Sequence, residues 1–375
     1  MTLALAYLGF FAVVADFGLN AHVLPNFLGD NSHREWQRLL GLRIIIAVLA
    51  TILAATILLF YPQMMVFKLT VLLGLLGIIQ PAITTTANVV FQSKLRFDLS
   101  VLANSLGSLL ILGAVVFLIK QGLGNPYLIL GYSLGWFLSA LLALSFTRKY
   151  ISKLQPIFDL SYVKRVFTES WPISATIILN LVYFRVDAFI LSNYKSFSDV
   201  GVYNLAYSIF QSLLVVPAFI MNSYYPVMLR DFENNKREFI SRLQKAGGLM
   251  LIMGILGMAF TLFLSPFVVP IITGARGFGG SITSLQILSL GFPAFFLSSI
   301  LMWTLITLRR YKLMLLIYVL GLILNSVLNF IFIPKFSYLA ASYITGISEY
   351  FILLCQVIVL IPLLTKLRST AKITE

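Results

Sequence analysis

Cysteine occurs once in the 375 residues, at Cys355, and histidine only at His22 and His33. A single thiol excludes an intrachain disulfide, and two imidazoles distant in sequence and setting give no basis for a metal site. Acidic residues number 13, and charged residues of both signs make up 11% of the chain, against about 25% in a soluble domain. So few charges exclude a chain that keeps itself in water. The first lysine or arginine is Arg34, so the basic start of a signal peptide is missing and no cleavage is expected. What is abundant is apolar. Hydrophobic residues make up 59%, mean hydropathy is +0.96, and apolar runs long enough to cross a hydrocarbon core of about 30 Å recur throughout. The chain reads as a polytopic, all-α membrane protein.

The net charge of +14 would suggest nucleic acid in a soluble protein. Here the basic residues fall in short clusters between apolar runs, so membrane orientation explains them and no nucleic acid is expected. Eleven helices are predicted, at 3–28, 39–61, 67–91, 97–119, 126–147, 170–193, 199–228, 244–272, 281–306, 311–333 and 338–365. Alternate loops and flanks, from Arg34/Arg38/Arg43 to Lys366/Arg368/Lys372, hold 21 of the 27 basic residues. The intervening loops hold one each: Lys68, Lys120, Lys195, Arg276 and Lys335. By the positive-inside bias the C-terminus is expected to be cytoplasmic and Met1 outside, in the inner or plasma membrane.

An internal repeat organises the spans. Leu5-Ala6-Tyr7 and Leu205-Ala206-Tyr207 are 200 residues apart, as are Phe10 and Phe210; Arg34-Glu35-Trp36 matches Arg237-Glu238-Phe239 at 203. Repeats in one orientation predict two pseudo-symmetric lobes around a central cavity, a common transporter plan. The first lobe is expected over 1–147 with five helices and the second over 170–375 with six. Either the first lobe is one helix short or the chain starts at an internal methionine, and the second alternative is the one expected. Residues 148–169, with Ile151, Leu154, Ile157 and Phe158 at helical spacing among basic residues, read as a cytoplasmic amphipathic linker or interfacial helix.

The segment 166–229 carries Pro172 at a helix entrance, Arg185 followed by Asp187, then "VGVYNLAY" (200–207) and "YYP" (224–226). It resembles the second lobe of polysaccharide flippases of the multidrug/oligosaccharidyl-lipid/polysaccharide exporter superfamily. "ADFGLNAHVLPNF" (15–27) and "NFIFIPKFSYLAASYITGISEY" (329–350) resemble a first-lobe helix and the last helical hairpin. The family's first helix is missing here, and Phe336-Ser337-Tyr338-Leu339 replaces its glycine-containing turn. The resemblance implies a MATE-like transporter fold of about 11 transmembrane helices. It also implies a substrate of oligosaccharide on undecaprenyl pyrophosphate, turned to the outer leaflet by a monomer working near a polysaccharide polymerase or glycosyltransferases. No resident cofactor is expected. A cation-coupled multidrug or small-molecule antiporter of the same fold is the alternative. A membrane enzyme is not expected, because the outside loops are short and hold one acid, Asp199.

Four ionisable residues lie well inside predicted spans: Asp16, Arg185, Asp187 and Glu349. Each costs about 2.5–3.5 kcal/mol at a helix centre and so needs a partner or a watery cavity. Two residues apart is about 200° around a helix, so Arg185 and Asp187 face opposite ways. Asp187 continues a stripe of Thr176, Asn180 and Tyr183, which predicts that it faces a polar path. Arg185 is expected to reach a carboxylate on another helix, Asp16 or Glu349. One alternative is a structural ion pair. In the other, Arg185 meets an anionic headgroup and the acids exchange H+ or Na+. Gln80, Thr84, Asn88 and Gln92 form a second stripe, and Ser342, Thr345, Glu349 and Gln356 a third. Asn325 and Asn329 form a shorter pair. Helix contact and cavity lining both fit these stripes. Arg43 is the one basic supplement for a pyrophosphate. Pro81, Pro217 and Pro293 fall mid-span and are hinge candidates or static kinks.

Overall fold

In the computed structural model, residues 2–16, 19–27, 32–60, 65–274 and 277–373 are described; Arg276, counted above among the outside loops, lies outside them. The described residues are helical apart from short turns and one extended linker, and no strand occurs among them. The order is α1 (Thr2–Asp16), α2 (Leu19–Val23) with a 3-10 turn (Leu24–Phe27), α3 (Ser32–Phe60), α4 (Met65–Leu73), α5 (Leu76–Ser93), α6 (Asp98–Lys120), α7 (Asn125–Thr147) and α8 (Leu160–Tyr194). After these come α9 (Phe197–Leu213), α10 (Val215–Asn234), α11 (Lys236–Thr273), α12 (Gly279–Ser289), α13 (Phe292–Thr307) and α14 (Tyr311–Ile373). Seven of the described helices are long and apolar enough to cross a membrane, eight with the bent α12–α13 pair. Such helices satisfy their own backbone hydrogen bonds, as lipid requires. Their outer faces are apolar, as with Leu256, Phe260, Phe263 and Phe267 exposed along α11. The chain divides into two compact units, Met1–Ser174 and Ala175–Glu375.

Several predicted helices are broken. The span at 67–91 is α4 and α5, that at 199–228 is α9 and α10, and that at 281–306 is α12 and α13. Pro217 and Pro293 therefore stand in the first turns of α10 and α13 rather than mid-helix, and α12 and α13 are bent by 46°. A proline there follows a break because it offers no N–H to the carbonyl four residues earlier, whereas a first turn needs none. Pro81 alone of the three lies within a helix body, in α5.

α14 also contains a break. Ser337 has φ 53° and ψ −139°, a left-handed φ that a non-glycine residue adopts at a cost. Asn329 and Thr345, eight residues to either side, both bond Asp187, so the chain doubles back at Ser337 into a hairpin of 311–336 and 338–373. Ser337 Oγ donates to Asp199 Oδ2 at 2.9 Å, fixing the turn to the start of α9. The hairpin forms without glycine.

The same order of whole and broken helices occurs in both units. An unbroken α3 or α11 precedes the broken α4–α5 or α12–α13, and a hairpin follows. The turns before the hairpins match closely. Leu95 and Arg309 both have φ 55°. Arg96 N–H donates to Phe91 O at 2.7 Å, as Arg310 N–H does to Leu305 O at 2.8 Å. Leu95 and Arg309 N–H donate to Gln92 O and Ile306 O at 3.0 and 2.9 Å. Both are Schellman endings, 214 residues apart. Residues 175–194 precede the repeat in the second unit, with no counterpart among the described residues of the first.

In the first unit α6 packs on α7 through small residues, as helices in lipid do. A Cβ on Gly107 would come within 2.7 Å of the Gly135 carbonyl, and one on Gly135 within 2.4 Å of the Gly107 carbonyl. The linker differs from the helix its spacing suggested. Residues 151–159 are not helical and lie along the start of α3, where Ile157 N–H donates to Gln37 O at 2.9 Å. The contact is close enough that a Cβ on Gly41 would lie 2.2 Å from Ile157 O. Asp159 then starts α8 ten residues before the predicted helix: its Oδ1 accepts from Tyr162 N–H at 3.1 Å, an N-cap. That bond, with Arg38 at 3.1 Å as a weaker contributor, holds the Asp159 carboxyl below its ordinary range. In the second unit Phe210, Phe292 and Phe295 form the centre of the core, with Phe210 stacked on Phe292 at 4.8 Å.

Candidate functional site

The second unit buries two carboxylates. Asp187 on α8 is 3% exposed, and neutral donors from three other segments converge on it. Tyr203 OH (α9) and Thr345 Oγ1 (338–373) donate to Oδ2 at 2.9 and 2.7 Å, and Asn329 Nδ2 (311–336) donates to Oδ1 at 2.7 Å. Asn329 Nδ2 also bonds Asn325 Oδ1 at 2.9 Å. No lysine or arginine pairs with Asp187 among the described residues. Asn329 Oδ1 and Asn325 Nδ2 are buried without partners there. A desolvated carboxylate is tolerated when hydrogen bonds replace water, and this cluster supplies three. The stripe Thr176, Tyr183, Asp187 does face inward, since all three are buried.

Glu349 lies on the same hairpin arm as Thr345, one turn along, and is also 3% exposed. The hydroxyls of Ser298 and Tyr183 face its carboxylate. It lines a cavity of about 330 Å³ together with Asn180, Phe184, Gln211, Phe295, Ser298 and Tyr318; Pro217 forms part of the wall. Asn180, Glu349 and Pro217 are thus brought to one place, and Asp187 is two helical turns from Asn180 on α8.

Arg185 is exposed and does not pair with Glu349, contrary to the expectation that it reaches a carboxylate. Its position two residues from Asp187 turns it to the outward side of α8, with Val182 and Phe189. The buried arginine is instead Arg43 on α3, fully enclosed in the first unit. Arg43 Nη1 donates to Asp16 Oδ1 at 2.7 Å and Nη2 to Asn20 Oδ1 at 2.6 Å. Nη1 also donates to Thr85 Oγ1, and Thr85 bonds the Pro81 carbonyl. Arg43 therefore ties α1, α2, α3 and α5 together beside a proline, and its charge is offset by Asp16 rather than left for a pyrophosphate. Asn88, half-buried on α5, makes no hydrogen bond among the described residues.

Three partners went unnoticed in the sequence as site residues. Tyr203 sits within "VGVYNLAY", where its tyrosine character gave no sign of an acid partner. Asn20 is an isolated polar residue and Thr85 one of three consecutive threonines, and their convergence on Arg43 depends on tertiary packing.

Comparisons with known proteins agree with this architecture. A family model described as "Polysaccharide biosynthesis protein" matches residues 1–231, and a MatE model matches residues 172–331. No curated protein matches the chain significantly in sequence. Among solved structures, an outward-facing multidrug resistance MATE family transporter of the MOP superfamily is 13% identical with a TM-score of 0.81, covering 98% of this chain and 89% of its own. The lipid II flippase MurJ in an inward closed conformation is 16% identical with a TM-score of 0.69, covering 99% and 83%. A MOP superfamily transporter from Pyrococcus furiosus, described as having a binding pocket of reverse polarity, is 13% identical with a TM-score of 0.76, covering 98% and 87%. At these identities the likenesses establish the fold.

Proposed function

Because the chain belongs to the polysaccharide biosynthesis protein family, within the MOP superfamily of membrane transporters, we propose that it moves a lipid-linked oligosaccharide from the inner to the outer leaflet for surface polysaccharide biosynthesis. The observation that carries this reading is the family match over residues 1–231. The fold shared with a lipid II flippase supports it. The carrier lipid in this reading is undecaprenyl pyrophosphate, the membrane is the inner or plasma membrane, and the C-terminus is cytoplasmic. The 21-to-5 distribution of basic residues favours that orientation. The lobes are residues 1–147 and 170–375, working by alternating access, with Pro217 and Pro293 after helix breaks and Pro81 within α5 as hinge positions.

Asp187 is the coupling site in this reading. Its oxygens are held by neutral hydroxyl and amide groups, a donor set that leaves the carboxylate's charge to be balanced by an exchangeable H+ or Na+. Asp16 and Arg43 hold the first unit together. Arg185, exposed and without an ion pair among the described residues, is the arginine placed in this reading to meet an anionic headgroup.

The test is rescue of surface glycan in a flippase-deficient bacterium. Arg185→Ala is expected to abolish export while the protein still reaches the membrane; unchanged export removes Arg185 from the mechanism. A second reading, a cation-coupled multidrug antiporter, is favoured by the MatE match over 172–331. Loss of drug resistance on deletion, with surface glycan intact, would select it.

A further inference from the structure

The cavity of the second unit has a size, a charge and a wall composition that together select a ligand group. Its volume of about 330 Å³ is roughly ten times the ~30 Å³ share of one water in the liquid and sits at the lower end of the ~300–1,000 Å³ typical of small-molecule pockets. That is too large for a bare ion and suits one ring with its substituents. Among its wall residues Glu349 is the sole charged side chain. It is 3% exposed and has no lysine or arginine partner among the described residues. A desolvated carboxylate facing an organic ligand favours a cationic group there and disfavours phosphate. Phe184 and Phe295 stack at 6.3 Å and 26° and both reach the cavity, offering apolar surface for a ring and ring faces for a cation. Asn180 and Gln211 add amide donors and acceptors suited to hydroxyls.

We propose that this cavity is a subsite for a protonated amine carried on a ring of the transported molecule, with Glu349 as its counter-ion. The inference rests on the transporter reading above and specifies which part of a substrate the second unit recognises. The pyrophosphate end of a lipid carrier has no place in it. The ring amine has two conceivable sources, an amino sugar of the glycan or a free organic cation, which share the chemistry named here.

The test uses the full chain in lipid nanodiscs and titration calorimetry with four probes: methyl glucosaminide, its N-acetyl derivative, methyl glucoside and benzyltrimethylammonium. The glucosaminide is expected to bind at least tenfold more tightly than the two neutral sugars. Glu349→Gln should abolish that preference. Ala218→Trp, an exposed wall position, is expected to fold and to block all four probes, so the proposal stays testable if Glu349→Gln is unstable. Glucosaminide binding above that of benzyltrimethylammonium assigns the amine to a glycan, and the reverse order assigns it to a free cation. Equal binding of amine and neutral sugars, or a preference that survives Glu349→Gln or Ala218→Trp, overturns the proposal. Flipping of a fluorescent lipid-linked glycan in proteoliposomes is measured separately. Flipping without amine preference defeats this inference alone, whereas amine binding without flipping defeats the flippase reading alone.

Discussion

Asp187 and Arg43 illustrate two ways of keeping a charge inside a helical bundle. Asp187 is surrounded by neutral donors, so an apolar replacement removes one hydrogen bond each from Tyr203, Thr345 and Asn329, which keep Thr345 Oγ1, Ala341 O and Asn325 Oδ1 as partners. At about 1 kcal/mol per lost bond, Asp187→Leu is expected to destabilise by about 3 kcal/mol, read as a fall in thermal unfolding temperature in detergent. Asp187→Asn keeps the shape and most of the bonds; it should stay folded and lose ion-coupled transport. Arg43 is paired, and breaking a buried pair costs about 3–5 kcal/mol. Asp16 keeps 35% of its side chain exposed, which places Arg43→Leu near 3 kcal/mol on the same assay. The sequence singled out Asp16, Arg185, Asp187 and Glu349 because charges in apolar runs are conspicuous, and Arg43 only as a basic supplement. The expectation that Arg185 reaches Asp16 or Glu349 did not foresee Arg43 as the partner of Asp16, since periodicity reports the face of one helix and not what lies opposite.

Helix breaks show where local sequence is legible and where packing decides. Hydropathy alone located the seven described helices that are long and apolar enough to cross a membrane, because a helix satisfies its own backbone hydrogen bonds in lipid. The breaks at Leu214 and at Leu290-Gly291 stand three residues before Pro217 and Pro293, so proline was visible while its first-turn position was not. Residues 151–159 have apolar residues at helical spacing, yet their backbone is bonded to α3, a tertiary contact that no period reveals. Gly41→Leu is expected to push that segment off α3, raising proteolysis within 151–159; an unchanged cleavage rate would deny the contact. Ser337 is the clearest departure from a familiar turn. Its left-handed φ predicts that Ser337→Val, with a branched Cβ, lowers stability by about 1–3 kcal/mol, again measured by thermal unfolding.

Over the whole chain, the internal repeat was legible as 200-residue spacings and returns as matched Schellman turns 214 residues apart. Nine of the 14 residues between the two offsets come from the longer α11, 38 residues against 29 in α3. The proposed orientation, with a cytoplasmic C-terminus, rests on the charge distribution. In a chain with Cys355 replaced by serine, a cysteine at Lys366 should resist an impermeant thiol reagent added outside intact cells, and one at Gln121 should react. Direct flipping tests the central claim most sharply: purified protein in proteoliposomes, with a fluorescent undecaprenyl-pyrophosphate-linked oligosaccharide, and Asp187→Asn alongside. Ion-gradient-dependent transfer of the glycan between leaflets by the wild type, lost in Asp187→Asn, is the predicted result. Wild-type vesicles that leave the glycan in its original leaflet under either gradient would contradict it.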